Sequence, residues 1–159
     1  MAITNSCTFT QPMPFAAHKH TILYAEDDLD DLFMIQQAFE QFDGSTQILH
    51  ANDGFEALEQ LKKAKENQQP PCLIILDINM PVLNGRDVLK KIKEMPPLAS
   101  VPVVLFSTSS STMDKEFAKK YEAGFVTKPL DVSQMEMITE LFVEHCRDEI
   151  KRTIRKRLQ

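Results

Sequence analysis

The sequence is poor in cysteine and has no long apolar run. Its three cysteines, Cys7, Cys72 and Cys146, lack the paired spacing of metal ligands. An odd number of thiols is also more typical of a reducing compartment than of a secreted protein. No segment approaches the ~18 apolar residues that span a membrane, and the N-terminus lacks the continuous apolar stretch of a signal peptide. We therefore expect a cytoplasmic protein without membrane association.

Length and charge further narrow the classes of protein to which the chain can belong. A chain of 159 residues with 43% apolar and 26% charged residues is large enough for one domain with a real core, and wholesale disorder is excluded. The net charge of −5 is unevenly distributed, because residues 145–159 carry six basic and only two acidic side chains. The rest of the chain is strongly acidic, which argues against direct binding of nucleic acid by the body of the protein.

Apolar runs alternate along the chain with stretches of helical periodicity. The runs at residues 72–77 and 101–106 lack the polar alternation of a half-exposed strand, which is typical of strands covered on both faces. A helical pattern follows each run, and this order predicts parallel strands with helices on both sides. We therefore predict an α/β fold with a doubly wound, five-stranded parallel sheet. Its strands are predicted at residues 21–25, 45–51, 72–77, 101–106 and 124–128.

Local signals mark two helix starts and the beginning of the domain. Ser111 with Asp114, and Ser133 with Glu136, have the spacing of capping boxes for the last two helices. The polar residues 1–19 are interrupted by prolines and are predicted to form a loose N-terminal extension.

Acidic side chains follow two of the predicted strands at their carboxyl ends, where sheets of this class bind ligands. Glu26 and Asp27 follow the first strand, and Asp77 ends the third. If the strand order is 2-1-3-4-5, these strands are neighbours, and the crowded carboxylates repel one another unless a cation lies between them. Hard oxygen ligands with room for water suit Mg²⁺.

A hydroxyl and an ammonium lie at the carboxyl ends of the fourth and fifth predicted strands. Ser107 follows the fourth strand and Lys128 ends the fifth, so both can contact a phosphoryl group held near the metal. Asp77 is the best acceptor for that group, because it ends the central strand and precedes a turn that exposes it. An aspartyl carboxylate is an accepted phosphoryl nucleophile.

Four motifs therefore occur in order at the predicted strand ends: Glu26-Asp27, Asp77-Ile78-Asn79-Met80-Pro81 with Asn84-Gly85, Ser107-Thr108 and Lys128-Pro129. Together they make residues 20–144 resemble the receiver domain of two-component response regulators. The resemblance implies a flavodoxin-like (βα)5 fold with the strand order 2-1-3-4-5. It also implies that Asp77 accepts a phosphoryl group from a histidine kinase or a histidine phosphotransfer protein.

The resemblance further implies the roles of the surrounding residues. Asp27, Asp77 and the carbonyl of Asn79 would bind Mg²⁺, with Glu26 acting through water. Ser107 and Phe125 would be the hydroxyl and aromatic switch residues. Such a protein is a signalling switch rather than an enzyme, with slow self-dephosphorylation. These roles are therefore expectations for the structure and for experiments.

Several alternatives remain beside this interpretation. Phe125 has no hydroxyl, so a plain core role competes with the switch role. An Mg²⁺-dependent aspartyl-phosphate phosphatase would need a second acid where Asn79 stands, and an FMN module would be repelled by the acids after the first strand. The neighbouring acids are expected only to cap the first helix: Asp28, Asp30 and Asp31.

The basic tail at residues 145–159 needs its own explanation. Apolar residues at near-helical spacing predict that it extends the last helix. The stripe consists of Val143, Ile150, Ile154 and Leu158. It is interpreted either as a solvated helix end or as a surface that docks on an acidic protein, most simply a homodimer through the last strand and helix. A nucleic-acid tail is disfavoured because it lacks interleaved aromatic residues. With few residues after the domain, we expect a stand-alone receiver that acts through its own surface on a downstream protein or serves as a phosphate shuttle.

Overall fold

The computed structural model describes residues 20–42 and 46–157; the predicted N-terminal extension at residues 1–19 and the tail residue Leu158 lie outside these ranges. The strands are β1 (His20–Ala25), β2 (Thr46–Ala51), β3 (Leu73–Asp77), β4 (Val103–Ser107) and β5 (Gly124–Thr127). The helices are α1 (Leu29–Phe42), α2 (Gly54–Glu66), α3 (Gly85–Lys93), α4 (Thr112–Lys120), α5 (Met135–Glu144) and α6 (Asp148–Arg157), with single 3-10 turns at Leu98–Ser100 and Val132–Gln134. None of these helices, which are those of the described residues, has the length and apolar composition that a membrane span requires.

The strands form one parallel sheet in the order β2-β1-β3-β4-β5, which confirms the predicted doubly wound fold. Ala25 at the end of β1 lies beside Leu76 of β3, and Ser107 of β4 lies beside Thr127 of β5. The strands therefore end at the same edge of the sheet. The strand order reverses between β1 and β3, so this edge is where a ligand crevice is expected.

Helices cover both faces of the sheet, and β3 shows how the sequence specifies this. Its residues Ile74 and Leu76 face an apolar layer formed with α2, α3 and α4, whereas Leu73 and Ile75 face a second layer formed with α1, α5 and α6. All four side chains are fully buried. Burial on both faces explains why the apolar run has no alternation.

The two predicted capping boxes are wrong in detail. Ser111 precedes α4 but its side chain makes no capping hydrogen bond, and Asp114 forms an ion pair with Arg86 of α3 at 3.1 Å instead. Ser133 does not cap α5: it lies in the 3-10 turn Val132–Gln134 that leads into this helix, and Asp131 caps that turn by accepting a 2.9 Å hydrogen bond from the backbone N–H of Ser133. Of the two helix starts, only the one before α5 has a capping side chain, and it is Asp131 rather than Ser133.

The basic tail is a separate helix rather than a continuation of α5, so that prediction is also wrong. The chain turns at residues 145–147 and α6 starts with Asp148 and Glu149, since acids favour a helix N-terminus. Ile154 is fully buried in the layer shared with α1 and α5, and Ile150 packs against the same layer. Arg147 anchors the turn by donating hydrogen bonds of 3.1 Å to the carbonyl and hydroxyl oxygens of Ser100.

This packing changes the interpretation of the apolar stripe. The described residues of the stripe pack against the protein's own core. This packing removes their apolar side chains from water, so no partner protein is needed to cover them. A cavity of about 440 Å³ beside α6 is lined by the first residue of β1, by Cys72 and by Ile150. The helix therefore lies at the edge where the strands begin, opposite the carboxyl edge that carries the predicted site.

Candidate functional site

The acids predicted at the ends of β1 and β3 lie together in the structure. One carboxylate oxygen each of Glu26, Asp27 and Asp77 lies within 4.8 Å of the others. Glu26 and Asp77 are only 1% and 5% exposed, whereas Asp27 is exposed. Burial raises the pKa of Glu26 and of Asp77, because it penalises the charged form more than the nearby Lys128 ammonium favours it. The arrangement stores electrostatic repulsion that a cation would relieve.

The chemistry of these side chains fits a divalent cation. Three carboxylates supply hard oxygen ligands, and the exposure of Asp27 leaves room for the water ligands that such ions retain. Asn79, predicted to contribute its carbonyl, is exposed just beyond β3, and its backbone N–H donates to the Asp77 carboxylate. That hydrogen bond helps to fix the orientation of the Asp77 carboxylate at the strand end.

The turn after β3 brings the start of α3 unusually close to Asp77. A Cβ atom added at Gly85 would collide with the carbonyl oxygen of Asp77, so this position needs glycine. The Gly85 N–H donates a 3.1 Å hydrogen bond to the carbonyl of Ile78, and the Asn84 side chain caps α3 by accepting from the Asp87 N–H at 3.0 Å. The Asn84-Gly85 motif thus sets the backbone under the predicted acceptor.

Lys128 reaches this cluster from β5 and contacts three carboxylates. Its Nζ atom lies 2.6 Å from Oε2 of Glu26, 2.8 Å from Oδ2 of Asp31 and 3.4 Å from Oδ1 of Asp77. The side chain is only 9% exposed. Burial lowers the pKa of Lys128, but the hydrogen bonds to Asp31 and Glu26 and the surrounding negative charge outweigh burial and raise it overall. The ammonium is therefore charged at neutral pH and directed at the carboxylates.

The sequence analysis missed two residues that bind Lys128 or Glu26. Asp31 was expected only to cap α1, yet its carboxylate binds Lys128. Tyr24, the next-to-last residue of β1, donates a 2.8 Å hydrogen bond from its hydroxyl to Oε2 of Glu26. The signal for Tyr24 was present, since a buried tyrosine hydroxyl needs a partner. Its own pKa is raised, first by burial and then by the charge of Glu26.

The capping role assigned to the acids after β1 belongs to Asp28. Its Oδ1 atom accepts hydrogen bonds from the backbone N–H groups of Asp30, at 2.8 Å, and Asp31, at 3.3 Å. The Asp28 N–H in turn donates to Oε1 of Glu26 at 3.1 Å. Capping therefore accounts for Asp28 and leaves Asp27 directed at the acid cluster.

Ser107 and Phe125, the predicted switch residues, lie on adjacent strands. Ser107 is fully buried, and its hydroxyl accepts a 3.1 Å hydrogen bond from the Ser109 N–H. The Phe125 ring is partly exposed at the edge of the layer under α4, with the Nζ atom of Lys115 5.9 Å from the ring centroid. Ser107 ends β4 beside Thr127, and Phe125 pairs with Leu105 two residues earlier along the same two strands.

Comparison with known proteins now identifies the family. A sequence model of the response regulator receiver domain matches residues 22–140. The chain belongs to the response regulator receiver family. The matched segment contains every residue of the cluster described above, and the fold predicted from the resemblance is the one observed.

Individual relatives support this membership. The chain is 35% identical to response regulator Rcp1 of Synechocystis sp. over 95 residues, which cover 58% of this chain and 65% of Rcp1. It is 29% identical to the probable methanogenesis regulatory protein FilR2 of Methanothrix harundinacea over 126 residues, covering 78% of this chain and 81% of that protein. The first match therefore spans slightly less than two thirds of its relative.

Solved structures of receivers have the same fold. The phosphorylated cyanobacterial phytochrome response regulator RcpA superposes with a TM-score of 0.72 and 30% identity, covering 81% of this chain and 97% of RcpA. The Mn²⁺-bound form of Rcp1 gives a TM-score of 0.69 and 28% identity, covering 80% and 97%. Receiver domains are in general signalling switches that bind a divalent metal and interact with histidine kinases or phosphotransfer proteins and with downstream effectors.

Proposed function

We propose that this receiver accepts a phosphoryl group on Asp77 from a histidine kinase or a histidine phosphotransfer protein, with Mg²⁺, and switches its surface in response. The observation that carries the proposal is the convergence of Glu26, Asp27 and Lys128 on the buried Asp77 at the reversal point of the sheet. The crystal structures of phosphorylated RcpA and of Mn²⁺-bound Rcp1 support a phosphoryl and a divalent metal site in related chains.

The transfer itself requires little of the protein beyond positioning and charge. A carboxylate oxygen of Asp77 bonds to phosphorus while the bond from phosphorus to the donor nitrogen breaks, and the electron pair stays on the donor imidazole. Lys128, already 3.4 Å from Asp77, would donate a hydrogen bond to a phosphoryl oxygen. When bound by Glu26, Asp27, Asp77 and the Asn79 carbonyl, Mg²⁺ would neutralise charge on the phosphoryl oxygens. Slow loss of the group to water would make the protein a timed switch rather than an enzyme.

The switch is proposed to act through Ser107 and Phe125. A phosphoryl group brings about −1.5 to −2 charges and new acceptor oxygens, so the Ser107 hydroxyl would turn to donate to it. Phe125 would then move inward from its partly exposed position beside Lys115. The shift selects between two arrangements of the surface formed by α4, β5 and α5.

Exposed apolar side chains offer surfaces for partners. Leu29 and Phe33 of α1 and Leu130, which follows the Lys128-Pro129 motif, are at least 61% exposed near the carboxyl edge of the sheet. We propose that the phosphodonor protein binds there. Met137 and Leu141 on α5, 64% and 43% exposed, support a homodimer through the last strand and α5 as a second contact. We further propose that the receiver comprises residues 20–144 with α6 packed against it, that it works in the cytoplasm, and that it acts on a protein through its own surface.

A labelling experiment tests the phosphoacceptor role. Incubation with acetyl phosphate and Mg²⁺ should add one acid-stable, base-labile phosphoryl group, which intact-mass measurement detects. Asp77→Asn should remove it, whereas Asp148→Asn, at a carboxylate 82% exposed on α6, should not. Labelling that persists in Asp77→Asn, or no labelling of the unaltered chain, would overturn the proposal. Continuous release of phosphate from a phosphomonoester would instead indicate a phosphatase.

A further inference from the structure

The ammonium of Lys128 is closer to two other carboxylates than to the proposed acceptor. It lies 2.6 Å from Glu26 and 2.8 Å from Asp31, but 3.4 Å from Asp77. A lysine ammonium has three N–H donors, and two of them are engaged in short hydrogen bonds in this state. The Lys128 ammonium, which is proposed to contact the phosphoryl oxygens, is therefore held partly away from Asp77.

The two competing carboxylates are held differently. Glu26 is almost fully buried and also accepts hydrogen bonds from the Tyr24 hydroxyl and the Asp28 N–H, so it is fixed in place. The Asp31 side chain is 27% exposed and extends from the first turn of α1 to Lys128. Of the two, Asp31 can exchange its hydrogen bond with Lys128 for water at low cost.

We propose that Asp31 is a positioning residue that holds Lys128 away from Asp77 and so limits how fast Asp77 is phosphorylated and how long the phosphoryl group is retained. The inference rests on the phosphoacceptor function proposed above. With acetyl phosphate, an oxygen of Asp77 bonds to phosphorus, the bond from phosphorus to the acetyl oxygen breaks, and acetate leaves with the electron pair. Lys128 assists by turning from Asp31 to a phosphoryl oxygen, and Asp31 returns to compete for it afterwards.

The chain offers a matched control for this role. Asp30 is adjacent to Asp31, is exposed and carries the same charge, while Asp31 is the one whose carboxylate binds Lys128. Asp31→Asn keeps the size of the side chain and removes the charge that attracts the ammonium. Asp30→Asn removes an equal charge from the same helix turn, and so measures the general effect of making the site less acidic.

The experiment compares phosphorylation by acetyl phosphate in the unaltered chain, Asp31→Asn and Asp30→Asn at fixed Mg²⁺, followed by intact mass. Asp31→Asn should be labelled about three- to tenfold faster and lose its phosphoryl group about three- to tenfold more slowly, the size expected of one charge interaction in a partly exposed site. Asp30→Asn should match the unaltered chain. Equal behaviour of the two variants, or slower labelling of Asp31→Asn, would overturn the inference.

A second comparison shows whether Asp31 acts through Lys128. In a Lys128→Gln background, Asp31→Asn should change neither rate, because there is no ammonium left to release. If the acceleration persists in that background, Asp31 acts by direct repulsion and the inference is wrong. Thermal unfolding of each variant confirms that it is folded. Failure to label the unaltered chain would overturn the phosphoacceptor function itself, and the two failures are thus distinguishable.

Discussion

The backbone N–H of Lys128 donates a 2.7 Å hydrogen bond to the carbonyl oxygen of Ser107. This hydrogen bond joins the last residue of β4 to the first residue after β5 through their main chains. The backbone atoms that carry the Lys128 ammonium and the Ser107 hydroxyl are therefore held at a fixed distance from each other. In the switch proposed above, the main chain would keep this relation while the two side chains respond to a phosphoryl group on Asp77.

Ser107→Ala should separate phosphorylation from the response. The variant keeps Asp77 and Lys128, so it should still be labelled, but it cannot donate a hydrogen bond to the phosphoryl group. Nuclear magnetic resonance shifts of the Phe125 region on phosphorylation should shrink by about half or more, because the inward state loses its main stabilising contact. Ser109→Ala, which keeps the Ser107 hydroxyl, is the control. Full-sized shifts in Ser107→Ala would contradict the switch role.

Asp27 and Asp28 are adjacent acids for which the structure predicts opposite effects. Asp27→Ala should abolish the rise in melting temperature caused by Mg²⁺ and leave metal-free stability equal or higher, because it removes one of three crowded carboxylates. Asp28→Ala should keep the Mg²⁺ effect but lose about 0.5–2 kcal/mol of stability, since it removes the cap of α1. Thermal unfolding with and without Mg²⁺ measures both. A metal-free loss above about 1 kcal/mol in Asp27→Ala would make that residue mainly a cap.

The raised pKa of Asp77 gives a pH dependence with a definite sign. Burial raises this pKa above its usual value of 3.8, so the folded, metal-free protein keeps a proton that the unfolded chain has already released. Stability from this group is therefore greatest at low pH and falls as pH rises through the raised pKa. Asp77→Asn cannot ionise, so its stability relative to the unaltered chain should increase from near zero at about pH 4 to about 0.5–2 kcal/mol at pH 7.

Urea unfolding in a metal chelator across this pH range measures that difference. Asp148→Asn, on the opposite side of the protein, controls for the loss of one acidic side chain. Addition of Mg²⁺ should reduce or reverse the advantage of Asp77→Asn, because the cation favours the charged carboxylate of the unaltered chain. If the free energies of unfolding of Asp77→Asn and the unaltered chain differ by a constant amount from pH 4 to pH 7, the prediction is contradicted.

The sequence was sufficient for the architecture because two physical signals agreed. Unbroken apolar runs in β3 and β4 indicated strands covered on both faces, and the acids, the serine and the lysine followed strand ends in order. The strand order itself came from the resemblance to a known family. Given that order, the meeting of Asp27 with Asp77 needed no further information, because neighbouring parallel strands end side by side.

What the sequence did not predict depends on contacts between distant elements. Asp31 looked like any acid in a first helical turn, and only the path of β5 brings Lys128 to it. The tail looked like a longer α5, but the chain turns at residues 145–147, where Arg147 binds the distant Ser100, and Ile154 packs into the core. Local periodicity detects a helix and its apolar side, but it does not say which surface that side covers.

The burial of Ile154 makes α6 part of the fold, and this leads to the last prediction. Ile154→Ala should lower the free energy of unfolding by about 2–4 kcal/mol, because it opens a cavity in a fully buried layer. Met137→Ala, at a side chain 64% exposed on α5, should change stability by less than about 0.5 kcal/mol. Urea unfolding of the full chain compares them, and a loss below about 1 kcal/mol for Ile154→Ala would mean that α6 does not pack as described.

The proposed homodimer is tested separately by sedimentation. Because the apolar side of α6 is already covered, the double variant Met137→Ala with Leu141→Ala on α5 should weaken the dimer. A dimer that is weakened instead by changes confined to α6 would contradict the packing of the tail against its own domain.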